Sequence, residues 1–353
     1  MELILLISLF HAKESLLLSF ISVIFKTTYS YIEMNIIYPI VTFFIVYICY
    51  SHIINEYKVS EDLEVYEIDY QTNFLLQEAC EIKQPLIFEK TAKIVFPSLE
   101  SFKQTVEVKD LNDYNNTDNV TVDSLELPCS SFLQLIQNDL SSRYFSENNH
   151  LFIDESGISK IFQSLDNELK PNNTITTSHD ILIASNGLCT PFRYHTDSRK
   201  FIYVVKGSVK IKMTSKKYTK YLNEVRDYEN LEFRSRMNVW TSDTKIDKVQ
   251  FIEFDIPCGS VIFIPSFWWY SIKYQESDTI MLECKYSNIS NKIAFLPNLF
   301  RHYLQEYNIV RNFTRKIDIT KCNEIVEDTI CTEEDTSELK IESKDIENVN
   351  VNV

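Results

Sequence analysis

His195-Thr196-Asp197 is the tripeptide in this chain whose residue types and spacing suit a metal ion. On an extended segment, side chains two apart share a face, so the imidazole and the carboxylate would point the same way. Two imidazoles and a carboxylate on one side of an ion, with open positions for co-substrate and oxygen, form the ligand set of a non-haem iron oxygenase. The second imidazole is the difficulty. The chain has six histidines: His11, His52, His150, His179, His195 and His302. Of the last four, His179 precedes the strand-rich half and His302 falls in a C-terminal helical pattern, so each would need an unusual path to the ion. The same residues have a metal-free reading, in which Arg193 and His195 line a polar, hydrogen-bonded mouth. A guanidinium there would mimic the cation and could hold a small carboxylate bidentately.

The elements that must position these groups begin with Cys258 to Ile272. Gly259 suits a tight turn before a buried strand, and Pro265 ends that strand where there is no N–H to donate. Trp268 and Trp269 are adjacent on an extended segment, so they face opposite ways and both faces there are covered. Strands are expected at Asp180–Ala184, Phe201–Val205, Val209–Met213, Phe251–Ile256, Val261–Ile264, Ser271–Tyr274 and Ile280–Tyr286, with Lys206-Gly207 as the hairpin joining the second and third. Val209, Ile211 and Met213 alternate with Lys210 and Lys212, the pattern of a half-buried strand. Thr214 to Lys248 reads as a charged insertion. Helices are expected at Phe74–Lys83, Ser130–Asn148 (with Phe132, Leu135 and Ile136 on one face) and Leu299–Val310, a strand at Gln84–Glu89, and a surface loop at Asp110–Asp123.

The run Ile264-Pro265-Ser266-Phe267-Trp268-Trp269-Tyr270, with Thr190-Pro191 and His195-Thr196-Asp197 upstream, resembles the metal-ligand segments of the JmjC and cupin-like (cupin_8-type) family. The resemblance covers Gln77 to Leu304. It implies an α+β, mainly β domain, a double-stranded β-helix of the cupin or jelly-roll kind with flanking helices. It also implies an Fe(II) and 2-oxoglutarate-dependent hydroxylase, with His195 and Asp197 as metal ligands and Thr190 and Lys210 on the co-substrate. Two departures stand against that activity. The family's His after the Trp pair is Tyr270 here, and counting from Thr190-Pro191 puts Arg193 where its first ligand should be. Arg193, Tyr270, Trp268 and Trp269 then line a pocket that has lost its metal. The favoured expectation is a degenerate site with no cofactor and a binding or assembly role, the hydroxylase being the alternative. Thr-Pro-x-Arg-Tyr followed by Trp-Trp-Tyr-Ser-Ile is similar to membrane-anchored cupin-like proteins of large DNA viruses.

Ile36 to Ile54 carries no formal charge and has the length of a bilayer span, with Tyr38, Tyr47 and Tyr50 nearer its ends. A single-pass membrane protein is therefore expected. Leu3–Phe10 and Leu16–Phe25 form a second apolar block, either a short span, a signal-like segment or an extension ahead of Met34. Lys26 and Lys58 nearly balance across the span, so no orientation follows. The expected organisation is residues 1–59 as the hydrophobic segment, 60–312 as the cupin-like domain and 313–353 as a disordered acidic tail. A formal charge of −15 argues against a nucleic-acid surface. The partners expected are a membrane and either a protein or a small carboxylate. Eight cysteines without a Cys-x-x-Cys pair exclude a zinc ribbon; Cys189, Cys258 and Cys284, in apolar or strand-like runs, are expected as buried free thiols.

Overall fold

The computed structural model describes residues 37–90, 94–115, 121–122, 124–241 and 248–308. The two apolar blocks before Met34, Ile36 and the tail 313–353 lie outside the described residues. Residues Met1–Glu306 belong to one compact unit and Tyr307–Val353 to another, of which only Tyr307 and Asn308 are described.

The described chain opens with α1 (Ile37–His52) and a single π-helical turn, Ile53–Tyr57. Then follow β1 (Tyr66–Glu67), α2 (Asn73–Cys80), β2 (Leu86–Glu89), β3 (Thr105–Asp110), α3 (Leu111–Asn115), β4 (Leu125–Pro128), α4 (Cys129–Asn138), β5 (Tyr144–Ser146), α5 (His150–Ser156), α6 (Ser159–Leu169) and β6 (Thr176–Ala184). The second half contains β7 (Arg193–Tyr194), β8 (Arg199–Lys206), β9 (Val209–Thr214), β10 (Glu224–Asp227), β11 (Glu232–Ser235), β12 (Ile252–Ile256), β13 (Ser260–Ile264), β14 (Trp269–Tyr274), β15 (Ile280–Ser287) and α7 (Ile289–Asn308).

Two sheets result. The larger has nine strands in the order β1-β2-β13-β8-β15-β6-β5-β3-β4, and the smaller six in the order β10-β11-β7-β14-β9-β12. Alternate side chains of the central strands separate two cores. Phe201, Tyr203, Val261 and Phe263 pack with Leu76, Phe132, Phe152 and Phe162 of the helices, whereas Ile202, Val204, Ile262 and Ile264 pack with Ile211, Met213, Tyr270 and Ile272 of the smaller sheet. The larger sheet is thus covered on both faces, which is why β8 and β13 read as continuous apolar runs. Trp268 joins the core between the sheets and Trp269 the cluster on the outer side of the smaller one, so the pair does face opposite ways. The fold is a mixed α/β arrangement of two sheets, and no closed barrel is found among the described residues.

Several expectations need correction. Lys206-Gly207 is no hairpin: β8 pairs with β13 and β15, while β9 pairs with β12 and β14, so Gly207 carries the chain from one sheet to the other. The apolar β8 needs a sheet covered on both faces, whereas β9, with its partly buried lysines paired to Glu253, needs one with a less apolar outer face. Gly259 makes the same passage back from β12 to β13. The expected helix from Ser130 ends at Asn138, and Tyr144–Ser146 within its range is a strand pairing β3. The closing helix starts at Ile289, where the Asn288 carboxamide oxygen accepts from Asn291 N at 2.8 Å, and it runs through Pro297. The charged insertion holds β10 and β11, an edge hairpin of the smaller sheet. Cys284 is buried, but Cys189 is only partly so and Cys258 is exposed.

Gly207 has φ +77°, and a Cβ there would sit 2.4 Å from Thr279 Oγ1 and 2.9 Å from Thr279 Cα. Gly259, at φ +93°, has open space around the same position. Gly207→Ala is expected to destabilise the fold by about 3 kcal/mol and Gly259→Ala by about 1 kcal/mol, the second being left-handed backbone strain alone. Denaturant unfolding of the two variants checks this; equal losses would mean that Thr279 yields freely.

Candidate functional site

Arg193 is held in the short strand β7, opposite Tyr270 of β14 and Arg234 of β11. The backbone then turns inward: His195 O accepts from Phe267 N at 2.9 Å, and His195 Nε2 lies 2.9 Å from Ile264 O at the end of β13. A carbonyl only accepts, so Nε2 carries the proton and Nδ1 presents a lone pair. That Nδ1 is buried without a partner, as is Arg193 Nε. Burial first, and the Lys200 ammonium second, lower the His195 pKa to about 4, so the ring is neutral at physiological pH.

These residues share a cavity of about 140 Å³ with Asp197, Tyr270 and a set of charges that sequence reasoning missed: Lys109, Glu147, Asp180, Lys200, Glu232, Glu283 and Lys285. Lys200 projects from the start of β8. Its Nζ donates to Tyr270 OH at 2.7 Å and lies 2.6 Å from Glu283 Oε2, while Lys285 Nζ is 2.7 Å from Glu283 Oε1. Burial alone would raise the Glu283 carboxyl, but the two ammonium groups outweigh it and bring the pKa to about 2. Asp180, cross-strand to Glu283, goes the other way: burial and then the Glu283 charge raise it to about 6.

A second ion-pair group closes the opposite wall. Arg193 Nη1 and Nη2 donate to Glu147 at 2.8 and 2.5 Å, Nη1 also reaches Glu232 at 3.2 Å, and Lys109 Nζ donates to Glu147 at 2.9 Å. Burial again opposes ionisation of Glu147, and the Arg193 and Lys109 charges prevail, holding it well below the usual carboxylate range. Both terminal nitrogens of the Arg193 fork are therefore occupied from within the protein.

Among the other sequence candidates, only Asp197 shares the cavity. Asp197 lines the cavity, where its Oδ1 accepts from Ser287 Oγ at 2.8 Å. Lys210 points off the outer face of the smaller sheet toward Glu253 at 3.4 Å and Asp255 at 3.8 Å. Thr190 Oγ1 accepts from Ile272 N at 2.9 Å and pins a loop to β14. Trp268 and Trp269 are core residues, not cavity lining. One signal for the missed charges was present in sequence: Glu283 and Lys285 interrupt an apolar strand, and a charge placed there requires a buried counter-ion.

The donor set does not fit an Fe(II) centre. Tyr270, where the resemblance would put a third ligand, hydrogen-bonds an ammonium, and Lys200 and Arg193 place two cations in the wall of the cavity. A different trio does converge among the described residues: ligand atoms of Asp166, His179 and Cys284 lie within 4.8 Å of one another and could chelate a metal. In it, Asp166 Oδ1 is 2.9 Å from His179 Nε2 and accepts from Tyr286 OH at 2.7 Å, and the Phe162 ring stacks on His179. Burial raises the Cys284 thiol far above its usual pKa, so a metal would have to displace its proton.

The depressed His195 pKa has a consequence for stability. Below pH 6.5 an unfolded histidine takes up a proton that the folded ring refuses down to about pH 4, so stability falls as pH drops through that window. The full loss is about 3 kcal/mol. Asp180 acts in the opposite sense, favouring the folded state as pH falls below about 6, and is common to wild type and variant. The difference in unfolding free energy between wild type and His195→Gln should therefore change by about 3 kcal/mol between neutral pH and pH 4; a flat difference would mean that the ring protonates freely. Comparison of the chain with family models and with curated proteins gives no match.

Proposed function

We propose that this chain is a membrane-anchored protein with a JmjC-like cupin domain whose former metal pocket serves binding or assembly rather than catalysis. The observation that carries this reading is the Lys200 ammonium, held by Tyr270 OH and Glu283 in the cavity that contains His195 and Asp197. An organic cation in that place does what an ion would do electrostatically, without open coordination positions for oxygen. The alternation of β8, β9, β12, β13, β14 and β15 between two sheets, turning at Gly207 and Gly259, supports a cupin-like domain. Two lining residues carry buried polar atoms without a partner, the acceptor His195 Nδ1 and the donor Arg193 Nε. A small polar molecule carrying both a donor and an acceptor, such as an amide, matches that pair. A carboxylate on Arg193 would have only Nε and would face Glu147 and Glu232.

The anchor is α1. Among the described residues, Tyr38–Glu56 is long and apolar enough to cross a membrane; its 19 residues span about 28 Å, close to a bilayer's hydrocarbon core. Phe43, Phe44, Ile45 and Tyr50 are exposed along it, as lipid-facing residues would be.

A second reading, the Fe(II) and 2-oxoglutarate-dependent hydroxylase, draws on one observation. An imidazole that donates through one nitrogen to a backbone carbonyl and keeps the other as a lone pair is oriented as metal-bound histidines are. Metal analysis separates the two readings. Full-length protein in detergent, exposed anaerobically to Fe(II) and 2-oxoglutarate, should retain no iron that depends on His195. Iron near one equivalent, lost in His195→Ala and kept in His179→Ala, would overturn the binding reading. Metal lost only in His179→Ala belongs to the Asp166 trio and leaves it standing.

A further inference from the structure

The end of α1 is fastened to the domain. Ser51 and Asn55 are buried there; Asn55 Nδ2 donates to Ser290 Oγ at 3.0 Å, Lys83 Nζ to Ile54 O at 2.7 Å, and Lys216 Nζ to Glu56 O at 2.8 Å. Beside this junction lies a cavity of about 210 Å³, distinct from the charged one, with His52, Arg226, Phe233, Phe267, Asn298 and Arg301 in its wall. It is smaller than the pockets that enclose whole drug-sized ligands, and it suits a headgroup.

Its chemistry is cationic and aromatic. Arg226, with a half-exposed side chain, donates through Nη2 to Glu224 at 3.0 Å and also hydrogen-bonds the Tyr228 side chain. Arg301 donates through Nη1 to Tyr228 OH at 2.7 Å. The acid in the wall, Glu56, is neutralised by Lys216 at 3.1 Å. Two guanidiniums with donors to spare converge on a space closed by rings, the arrangement that takes a phosphate. One wall is also strained: Phe267 sits at φ +63°, unusual for a bulky residue, with the Lys216 ammonium 4.6 Å over its ring.

Depth supplies the remaining observation. The candidate span runs Tyr38–Glu56, so the polar His52, Asn55 and Glu56 come in its last turn, where a span leaves hydrocarbon for headgroups. All three line the cavity. We infer that it holds the phosphate headgroup of an anionic phospholipid from the membrane that α1 crosses, with Arg226 and Arg301 on the phosphate. This rests on α1 being a span.

The test uses the full-length chain reconstituted in vesicles of phosphatidylcholine with phosphatidylglycerol, then extracted gently and examined by native mass spectrometry for retained lipid. Wild type should retain phosphatidylglycerol over phosphatidylcholine by about tenfold, and Arg226→Gln/Arg301→Gln should lose most of that preference. The Lys/Lys double variant, which keeps both charges, should retain it and shows that loss in the Gln pair is not misfolding. Equal retention of the two lipids, or an unchanged preference in the Gln pair, would overturn the inference. So would displacement of the lipid by millimolar inorganic phosphate, which would mark a site for free phosphate instead. Release of the chain by a carbonate wash would overturn the span and this inference together, whereas retention with equal lipid ratios overturns this inference alone.

Discussion

Lys200 and Glu283 are 4 % and 2 % exposed in central strands of a sheet covered on both faces, and ions so placed persist only with their counter-ions in contact. Everything around the cavity follows from that pairing. Glu283 takes a second ammonium from Lys285, Lys200 takes the Tyr270 hydroxyl, and Asp180 is left to share the field of Glu283. Loss of either central partner would leave a buried charge unmatched, a penalty of about 3 to 5 kcal/mol. Replacing a whole pair by apolar side chains costs far less, so the network is poor evidence of selection for stability. It is better evidence for a defined polar cavity.

The same constraint separates the two sheets. A strand apolar on both sides must be sandwiched, and a strand with lysines on one side must keep that side wet. The chain satisfies both demands by changing sheet at Gly207 and Gly259, where positive φ is available without a side chain to clash. This alternation brings residues of β14 and β15 to the same cavity as those of β7 and β8.

Two cavities lie near the Tyr194–Thr196 segment: the charged one, and the cationic one beside the end of α1. Tyr194 and Thr196 contribute to both walls. The docking of the end of α1 through Asn55, Lys83 and Lys216 places the second cavity where that helix meets the rest of the unit.

The local features were legible in sequence. Alternation and apolar runs located the strands of the second half, the uncharged run before Ile54 located α1, and the adjacency of Trp268 and Trp269 required that they face opposite ways. A period of two marks His195 and Asp197 as a pair; both line the cavity, although neither lies in a strand. The partners of those residues were not legible. Lys109 and Glu147 reach Arg193 from strands and loops far upstream, through pairings that no local pattern records. The role of Lys200 depends on which of its neighbours crosses from the other sheet. The fate of Lys210 was likewise settled by the passage at Gly207, which sends β9 into the smaller sheet and turns that lysine toward Glu253 and Asp255. Sequence determined what each short segment can be, because propensity and periodicity act within a few residues. Only the tertiary structure decided which buried charge meets which, because that depends on long-range strand pairing and on which side chains become buried between the sheets.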